Sequence, residues 1–230
     1  MIRLITLDLD DTLWPCLPPL LQAETAFYAW LQSAAERISQ VHDLDSLREH
    51  RLRLQDTRPD LAHDITGLRR ESLAQLLREF GYPAALADQG IQCFLVHRHQ
   101  VRPYPDVAPI LASLADRYRL ATLTNGNADI FRTPLGRHVH FSLTAAQAGA
   151  AKPAPALFLS ALRQAGVGAN EALHLGDDPY LDVTPAKALG MGAVWINRDG
   201  RSWPAELPPP DAEIQDLYGL RDWLTCNSNS

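Results

Sequence analysis

Residues 1–14 read MIRLITLDLDDTLW, a short apolar segment that runs into a cluster of aspartates. Ile2–Leu9 is rich in Ile and Leu and carries almost no charge before its acidic end. Such a run, without alternating polar positions, is typical of a strand buried on both faces, as in a parallel sheet covered by helices. The segment therefore predicts a buried parallel strand whose carboxyl end carries Asp8, Asp10 and Asp11.

Strand-like segments return, in alternation with helical ones, after Pro103–Pro105. We interpret four further apolar stretches as strands, at residues 120–125, 141–145, 172–176 and 193–198. Helical patterns occupy residues 107–118, 154–164 and 181–190, with further helices near 127–131 and 215–224. Asp106 is placed to cap the first of these helices, and Gly190 to end the helix before the last predicted strand. This alternation predicts an α/β fold with a Rossmann-like parallel sheet.

The segment between the first strand and this alternation has a different character. Four stretches repeat apolar residues at helical spacing: AETAFYAWLQSAAERI, LDSLREHRLRLQ, DITGLRRESLAQLLREF and AALADQGIQCFLVHRHQ. Gly81 is placed to end the third of these helices. We predict two domains, an α/β core of residues 1–14 and 104–230 and an inserted all-helical domain of residues 15–103.

The composition is that of an ordinary globular protein with mildly acidic charge. The 230 residues are 46% hydrophobic and 21% charged, and 27 acidic against 21 basic side chains give a net charge of −6. A nucleic-acid-binding surface needs a basic excess, so we expect no nucleic-acid partner. The cysteines Cys16, Cys93 and Cys226 lie far apart without metal-ligand spacing, which indicates reduced thiols. Because no signal peptide or membrane-length apolar run is recognisable, we expect a cytoplasmic monomer or homodimer with no membrane partner.

Polar side chains cluster where the predicted strands end. In an open parallel sheet, ligands bind beyond the carboxyl ends of the strands. The residues at these points are Asp8 and Asp10, Thr124 and Asn125, Lys152 before a long helix, and Asp177, Asp178 and Asp182. We expect them to meet at one edge of the sheet.

The chemistry of these side chains suits a metal ion and a phosphate group. Asp8 and Asp10 are two residues apart, so a continuing strand would direct both toward one side. Adjacent carboxylates repel, and the pKa of one rises unless a cation lies between them. Asp177 and Asp182 would approach from a neighbouring strand, and such oxygen ligands suit Mg²⁺ where phosphate oxygens complete its shell. Lys152 and the hydroxyl and amide side chains then suit the remaining phosphate oxygens.

The order and spacing of four motifs resemble those of the haloacid dehalogenase-like (HAD) phosphatases. The motifs are DLDDT, TLTNGN, the lysine of AAKPAPALF, and GDDPYLD. The helical insert directly after the first motif is similar to the cap of the type I members of this family. The resemblance covers essentially the whole chain and implies a HAD fold with a helical cap and a Mg²⁺ cofactor.

The resemblance implies a role for each residue at the strand ends. Asp8 is the implied nucleophile, which attacks phosphorus, forms an aspartyl-phosphate and also binds the metal. Asp10 is the implied general acid and base, and its backbone carbonyl is a further metal ligand. Thr124, with Asn125 nearby, would hold the transferring phosphoryl group. Lys152 would neutralise phosphate charge and steady Asp8.

The remaining candidates surround these residues. The family pattern implies that Asp177 binds Mg²⁺ directly and that Asp182 orients the lysine or a metal-bound water. Asp178 is either a metal ligand or a helix cap. Trp14, four residues after Asp10, either stacks on a substrate ring or packs at the hinge between the domains.

Two features narrow the reaction within this superfamily. Members that dehalogenate lack the second aspartate, because a halide leaves without a proton, whereas Asp10 is present here. Phosphonate cleavage uses a lysine of the cap, and residues 15–103 contain none. We therefore expect a phosphomonoester hydrolase. A phosphomutase, and a catalytically idle member that binds a phosphorylated ligand or a protein partner, remain alternatives.

A closer resemblance concerns the insert and the surroundings of the motifs. The stretches AETAFYAWL, HDITGLRRESLAQLLREFG, NGNADIF, HLGDD and GMGAVWINR are similar to those of bacterial flavin mononucleotide phosphatases. These also hydrolyse the riboflavin precursor 5-amino-6-(5-phospho-D-ribitylamino)uracil. Nucleotide and sugar-phosphate phosphatases share much of the pattern, so the substrate implied is a small phosphorylated metabolite. Arg69 and Arg70 either reach a phosphate or ribityl hydroxyl, or lie on a solvated helix face.

Overall fold

The protein is described by a computed structural model that covers residues 1–227. It forms two compact units, which we call the α/β unit and the helical unit. The α/β unit consists of Met1–Pro15 and the chain from Arg102 onward, and the helical unit is Cys16–Val101.

The α/β unit contains a six-stranded sheet in which all neighbouring strands are parallel. The strands are β1 (Leu4–Leu7), β2 (Arg119–Thr124), β3 (Phe141–Thr144), β4 (Ala172–Gly176), β5 (Gly192–Ile196) and β6 (Ala212–Ile214). Their order across the sheet is β3-β2-β1-β4-β5-β6, so the direction in which strands are added reverses at β1. The predicted α/β class with a Rossmann-like parallel sheet is confirmed.

The central position of β1 follows from its sequence. All four of its residues are buried, as the apolar run predicted. Leu7 pairs with Thr122 of β2 on one side and with Leu175 of β4 on the other. The residue that follows, Asp8, therefore emerges at the carboxyl edge of the sheet beside the reversal point, where ligands bind in such folds.

The helical unit has no strand among its residues, all of which the structure describes. Its helices are α1 (Leu17–Ala34), α2 (Glu36–Ser39), α3 (Leu44–Thr57), α4 (Ile65–Glu79) and α5 (Leu86–Arg98). Asp43 and Asp64 cap α3 and α4 by accepting hydrogen bonds from backbone N–H groups. Gly81, with φ of +71°, ends the α4 segment as predicted. The all-helical character predicted for the insert is confirmed.

The remaining helices cover the sheet. They are α6 (Val107–Ala115), α7 (Ala145–Ala148), α8 (Ala156–Ala165), α9 (Thr184–Ala188) and α10 (Leu217–Asn227). The core of this unit joins strand residues such as Leu123 and Trp195 to Phe158 of α8, all of them buried. Within residues 1–227, no helix combines the length and the apolar character that crossing a bilayer requires.

Two local predictions in the α/β unit are wrong. Asp106 precedes α6 but its side chain does not cap that helix. Its carboxylate instead pairs with Arg198 at 2.9 Å and accepts a hydrogen bond from the backbone N–H of Leu217 at 2.8 Å. The helix predicted near residues 127–131 is one 3₁₀ turn, Ile130–Arg132, because the Asp129 side chain takes the N–H of Phe131 and holds a turn.

Two further elements differ from the sequence pattern. The strand β6 was not predicted, since three residues beside a proline-rich loop give too short a pattern, and only pairing with β5 makes them a strand. The helix predicted at 181–190 begins as a single π-turn, Pro179–Val183, and continues as α9.

Candidate active site

A pocket at the carboxyl edge of the sheet brings together most of the candidate residues. Asp8 and Asp10 come from the segment after β1, and Thr124 and Asn125 from the end of β2 and the turn that follows it. The full lining is Asp8, Asp10, Asp11, Thr124, Asn125, Gly126, Lys152, Asp177, Asp178, Leu181 and Asp182. Every predicted site residue except Trp14 therefore lines one pocket.

Lys152 lies between two carboxylates at the base of this pocket. Its Nζ donates to Asp8 Oδ1 at 2.5 Å, to Asp182 Oδ1 at 2.6 Å and to the Leu123 carbonyl at 3.0 Å. The side chain is 2% exposed, and those of Asp8 and Asp182 are 11% and 3% exposed. One buried ammonium thus serves two buried carboxylates, which leaves the group with one negative charge in excess.

The charges of this group shift the pKa values in opposite directions. Burial raises the pKa of Asp8 well above its ordinary value, and Asp182 and Asp177 add to that shift against the opposing effect of Lys152. Burial also acts to raise the pKa of Asp182, but Lys152 and His174 outweigh it and hold that pKa far below its usual range. The excess negative charge is therefore felt most by Asp8.

His174 lies beneath Asp182 and is fully buried. Its Nε2 is 3.2 Å from Asp182 Oδ1, and its Nδ1 is 2.8 Å from the hydroxyl of Thr6 on β1. Burial lowers the pKa of His174. Because an ionised carboxylate can only accept, a neutral imidazole with its proton on Nε2 satisfies both contacts. Sequence reasoning missed this residue, although a histidine in an otherwise apolar buried strand must find polar partners.

Asp177 forms the outer wall of the acidic group. The side chain of Arg201 donates to its backbone carbonyl at 2.6 Å and to its Oδ2 at 3.2 Å, and Thr12 donates to Oδ1 at 3.4 Å. Burial, followed by repulsion from Asp182 and Asp11, raises the pKa of Asp177 to about 6. Arg201 was also missed, since it belongs to a proline-rich loop whose sequence gives no sign of its destination.

The donor set fits a hard divalent cation. Oxygens of Asp8, Asp177 and Asp182 lie within 4.8 Å of one another. Asp182 is committed to the protein, because Lys152 and His174 occupy Oδ1 and the Asp178 N–H donates to Oδ2. The bonds to the two Asp177 oxygens are longer, at 3.2 and 3.4 Å, so Asp8 and Asp177 are the carboxylates best placed to bind a cation. A cation there would offset the burial and the neighbouring negative charge that raise their pKa values.

The side chains of Asp10 and Trp14 form a hydrogen bond with each other. The indole Nε1 of Trp14 donates to Asp10 Oδ1 at 2.9 Å. The Asp10 carboxyl lines the pocket, whereas Trp14 has no exposed surface. The stacking proposed for Trp14 requires an open ring face, and this structure offers none. Its visible role is to orient the Asp10 carboxyl.

Thr124 and Asn125 contribute in different ways. The Thr124 hydroxyl oxygen accepts from the Gly126 N–H at 2.8 Å, which leaves its own proton for a ligand. The Asn125 amide donates to the Lys152 carbonyl at 2.9 Å and accepts from the Lys152 N–H at 2.7 Å. Asn125 therefore braces the backbone that carries Lys152, which the sequence did not indicate.

Asp178 and Gly176 explain how the acidic loop is built. Asp178 Oδ1 accepts from the N–H groups of Tyr180 and Leu181 at 2.7 and 2.9 Å, which is the helix-cap alternative for this residue. A Cβ atom on Gly176 would lie 2.3 Å from the Asp182 carboxyl carbon. Only glycine at this position lets Asp182 approach the end of β4.

Comparison with known proteins agrees with this geometry. The protein is 32% identical over 229 residues to the 5-amino-6-(5-phospho-D-ribitylamino)uracil phosphatase YigB of Escherichia coli, covering 95% of this chain and 94% of that protein. It is 30% identical over 252 residues to the phosphoserine phosphatase of Thermus thermophilus, covering 94% and 96%. A crystal structure of 2-haloacid dehalogenase from Pseudomonas syringae pv. tomato DC3000 superposes with a TM-score of 0.93 at 42% identity, covering 98% and 99%.

The family assignment follows from these matches. The sequence pattern of the haloacid dehalogenase-like hydrolases matches residues 2–190. That range contains Asp8, Asp10, Thr124, Lys152 and Asp177. The chain therefore belongs to the haloacid dehalogenase-like hydrolase family.

Proposed function

We propose that the protein is a Mg²⁺-dependent phosphomonoester hydrolase that works through an aspartyl-phosphate on Asp8. The observation that carries the proposal is that one pocket contains two carboxyl groups with different partners. Asp8 accepts a hydrogen bond from Lys152, and Asp10 accepts one from Trp14. The first is held as a nucleophile beside a cation, and the second is oriented as a proton donor. A phosphate ester needs both, because its leaving alkoxide must be protonated.

In the first step, Asp8 attacks phosphorus and the bond from phosphorus to the ester oxygen breaks. The leaving alkoxide takes its proton from Asp10, which becomes a carboxylate. In the second step, Asp10 takes a proton from a water molecule, which attacks phosphorus and breaks the bond to Asp8. The Thr124 hydroxyl donates to a phosphoryl oxygen, and the charge of Lys152, whose three N–H groups hold Asp8, Asp182 and the Leu123 carbonyl, offsets the negative charge that develops there.

The metal ion would be held by the carboxylates of Asp8 and Asp177, with the Asp10 carbonyl as the further ligand that the family pattern implies. Bound there, Mg²⁺ supplies charge neutralisation for the phosphoryl oxygens and for the nucleophile. Asp182 and His174 would act without binding the metal, because His174 bonds to Asp182 and Asp182 holds the Lys152 ammonium that contacts Asp8.

For the substrate we propose a small phosphorylated metabolite, with flavin mononucleotide and 5-amino-6-(5-phospho-D-ribitylamino)uracil as first candidates. The support is the identity with the Escherichia coli phosphatase over nearly the full length of both chains. Nucleotides, sugar phosphates and phosphoserine are the next compounds to test, the last because of the Thermus thermophilus relative. We also propose that the inserted helical domain, predicted at residues 15–103, acts as the cap.

A 2-haloacid dehalogenase is the second candidate, because the crystal structure with 42% identity carries that activity in its name. Asp10 favours the phosphatase. A departing halide needs no proton, so a carboxyl oriented by Trp14 at 2.9 Å would have no task in dehalogenation.

The test is a side-by-side assay of phosphate release from a panel of esters and halide release from 2-chloropropionate, with and without Mg²⁺. We expect phosphate release that depends on Mg²⁺ and that falls by several orders of magnitude in Asp8→Asn. Asp222→Asn, which changes an exposed aspartate of α10, is the matched control and keeps full activity. Halide release without phosphate release would establish the dehalogenase. Phosphate release unchanged in Asp8→Asn would refute the assignment of the nucleophile.

A further inference from the structure

A pocket inside the helical unit, formed by α1, α3 and α4, has a distinct charge pattern. Its floor is apolar, with Phe27, Leu47 and Leu73 among its residues. Its polar wall holds four charged side chains, those of Glu24, Arg48, Arg51 and Arg69. We call this pocket the arginine pocket. None of these residues belongs to the site at the carboxyl edge of the sheet.

Glu24 is the only acid of the arginine pocket, and two arginines already neutralise it. Its side chain is 7% exposed and pairs with Arg48 at 2.8 Å and with Arg69 at 3.6 Å. Arg69 is itself 12% exposed and lies over the ring of Phe94, with its guanidinium carbon 3.9 Å from the ring centroid. This places Arg69 in the interior and not on the solvated helix face that the sequence suggested.

Arg51 brings a third positive charge to the same space. It is half-buried and, among the described residues, forms no hydrogen bond or ion pair. Burial and the neighbouring Arg48 lower its pKa against the attraction of Glu24. The pKa of Arg69 falls to about 9, because of burial and the charge of Arg51. Three guanidinium groups thus face one carboxylate.

Within residues 1–227, no other acid lines the pocket to balance this charge. Asp45 also contacts Arg48, at 2.9 Å, but its side chain is 82% exposed and lies outside the lining. His50 bonds to Ser72 on the wall of the pocket, and burial lowers its pKa, which favours the neutral form. A partly buried guanidinium without a counter-charge is costly, so the pocket favours an anion from outside the chain.

We propose that the arginine pocket binds a small monovalent anion, with a carboxylate as its matching chemical class, through Arg51 and Arg69. The space between these side chains is partly open to solvent and is small, about 20 Å³, so the proposed ligand is a small anion. The planar donors of a guanidinium match a carboxylate in pairs, and the apolar floor accepts a short carbon chain.

The first experiment titrates metal-free protein with acetate. The ionic strength is kept constant by exchanging acetate for a bulky sulfonate, which cannot enter the pocket. The readout is the melting temperature, which rises as a ligand binds the native state. Arg51→Gln should weaken acetate binding by about tenfold or more, the cost of losing a hydrogen bond to a charged group. Arg53→Gln, an exposed arginine on the same helix, should bind as the wild type does. Equal acetate affinity in Arg51→Gln and the wild type overturns the proposal.

A second measurement does not depend on how the variant folds. Crystals of the wild-type protein soaked in bromide should show an anomalous peak in contact with the Arg51 guanidinium, because a halide competes for the same donors. The absence of a peak there at saturating bromide would also overturn the proposal.

The anion that we propose is a free carboxylic acid. Failure of acetate binding refutes the pocket and leaves the phosphatase proposal untouched.

Discussion

Replacement of Lys152 by Met removes the one cation that two buried carboxylates share. Lys152 and Lys187 are the only lysines in the sequence. The Met side chain fills a similar volume but leaves Asp8 and Asp182 without a positive partner. We predict a large loss of stability in the metal-free protein, and a loss that depends on pH.

The magnitude follows from the burial of the group. Breaking a buried ion pair by removing one partner costs about 3–5 kcal/mol, because a charge remains buried and unpaired. Lys152 contacts Asp8 at 2.5 Å and Asp182 at 2.6 Å, with side-chain exposures of 2% for Lys152 and 11% and 3% for the acids. We therefore expect a value in the upper half of that range near pH 8.

The pH dependence has a definite sign. Without Lys152, the folded-state pKa values of Asp8 and Asp182 lie above that of an unfolded aspartate, about 3.9. A carboxyl group whose pKa is raised by folding binds more protons in the native state, so stability increases as the pH falls toward the unfolded value. The difference between variant and wild type should therefore shrink between pH 8 and pH 5.

The assay is urea unfolding of both proteins with a chelator present, at pH 8 and at pH 5. Lys187→Met is the matched control, because Lys187 pairs with Asp211 at 2.5 Å but the two side chains are 26% and 37% exposed. An exposed pair of that kind contributes about 0–1 kcal/mol. Equal losses in the two variants, or a loss in Lys152→Met that is the same at both pH values, would show that Lys152 does not neutralise two buried charges.

Three further outcomes are expected. His174→Leu should lower kcat by roughly 10- to 150-fold with little change in KM, because it removes one hydrogen bond to a charged group. His174→Gln keeps an N–H for Asp182 and should keep most of kcat, so equal kinetics of the two variants would contradict this role. Asp106→Asn should reduce the melting temperature at pH 7, because Arg198 and a backbone N–H outweigh the effect of burial and lower the pKa of Asp106. The difference from the wild type should begin to shrink only when the pH falls below about 3.9, the pKa of an unfolded aspartate, and should vanish once the pH has passed the lower folded pKa. Mn²⁺ binding, followed by electron paramagnetic resonance, should weaken as the pH falls through about 6, where Asp177 takes up a proton, and should be weak at every pH in Asp177→Asn.

The parts of the fold that depend on local pattern could be predicted from the sequence. The strands β1 and β4 are buried at every residue. Parallel strands covered on both faces have nearly continuous apolar sequences, so they are easy to recognise. Gly81 and Gly190 end helical segments with φ of +71° and +81°, a conformation that glycine adopts without strain. The residues at the strand ends could be placed together because parallel strands end at the same edge.

The parts that depend on distant partners could not be predicted. Local sequence favours Asp106 as a helix cap, but Arg198, 92 residues further along, forms a stronger interaction with its carboxylate. Arg201 reaches Asp177 from an irregular loop, where no periodicity indicates direction. Trp14 could stack or pack by its position alone, and only the structure reveals its bond to Asp10.

The proposed mechanism requires that Asp8 carries the phosphoryl group during turnover, and this intermediate can be trapped. Asp10→Asn should slow hydrolysis of the intermediate, while 4-nitrophenyl phosphate, whose leaving group needs no proton, still phosphorylates the enzyme. With radioactive substrate and an acid quench, we expect label on the peptide that contains Asp8 and none when Asp8 is also changed to Asn. Continued release of nitrophenol with no labelled peptide, or label on another residue, would contradict it.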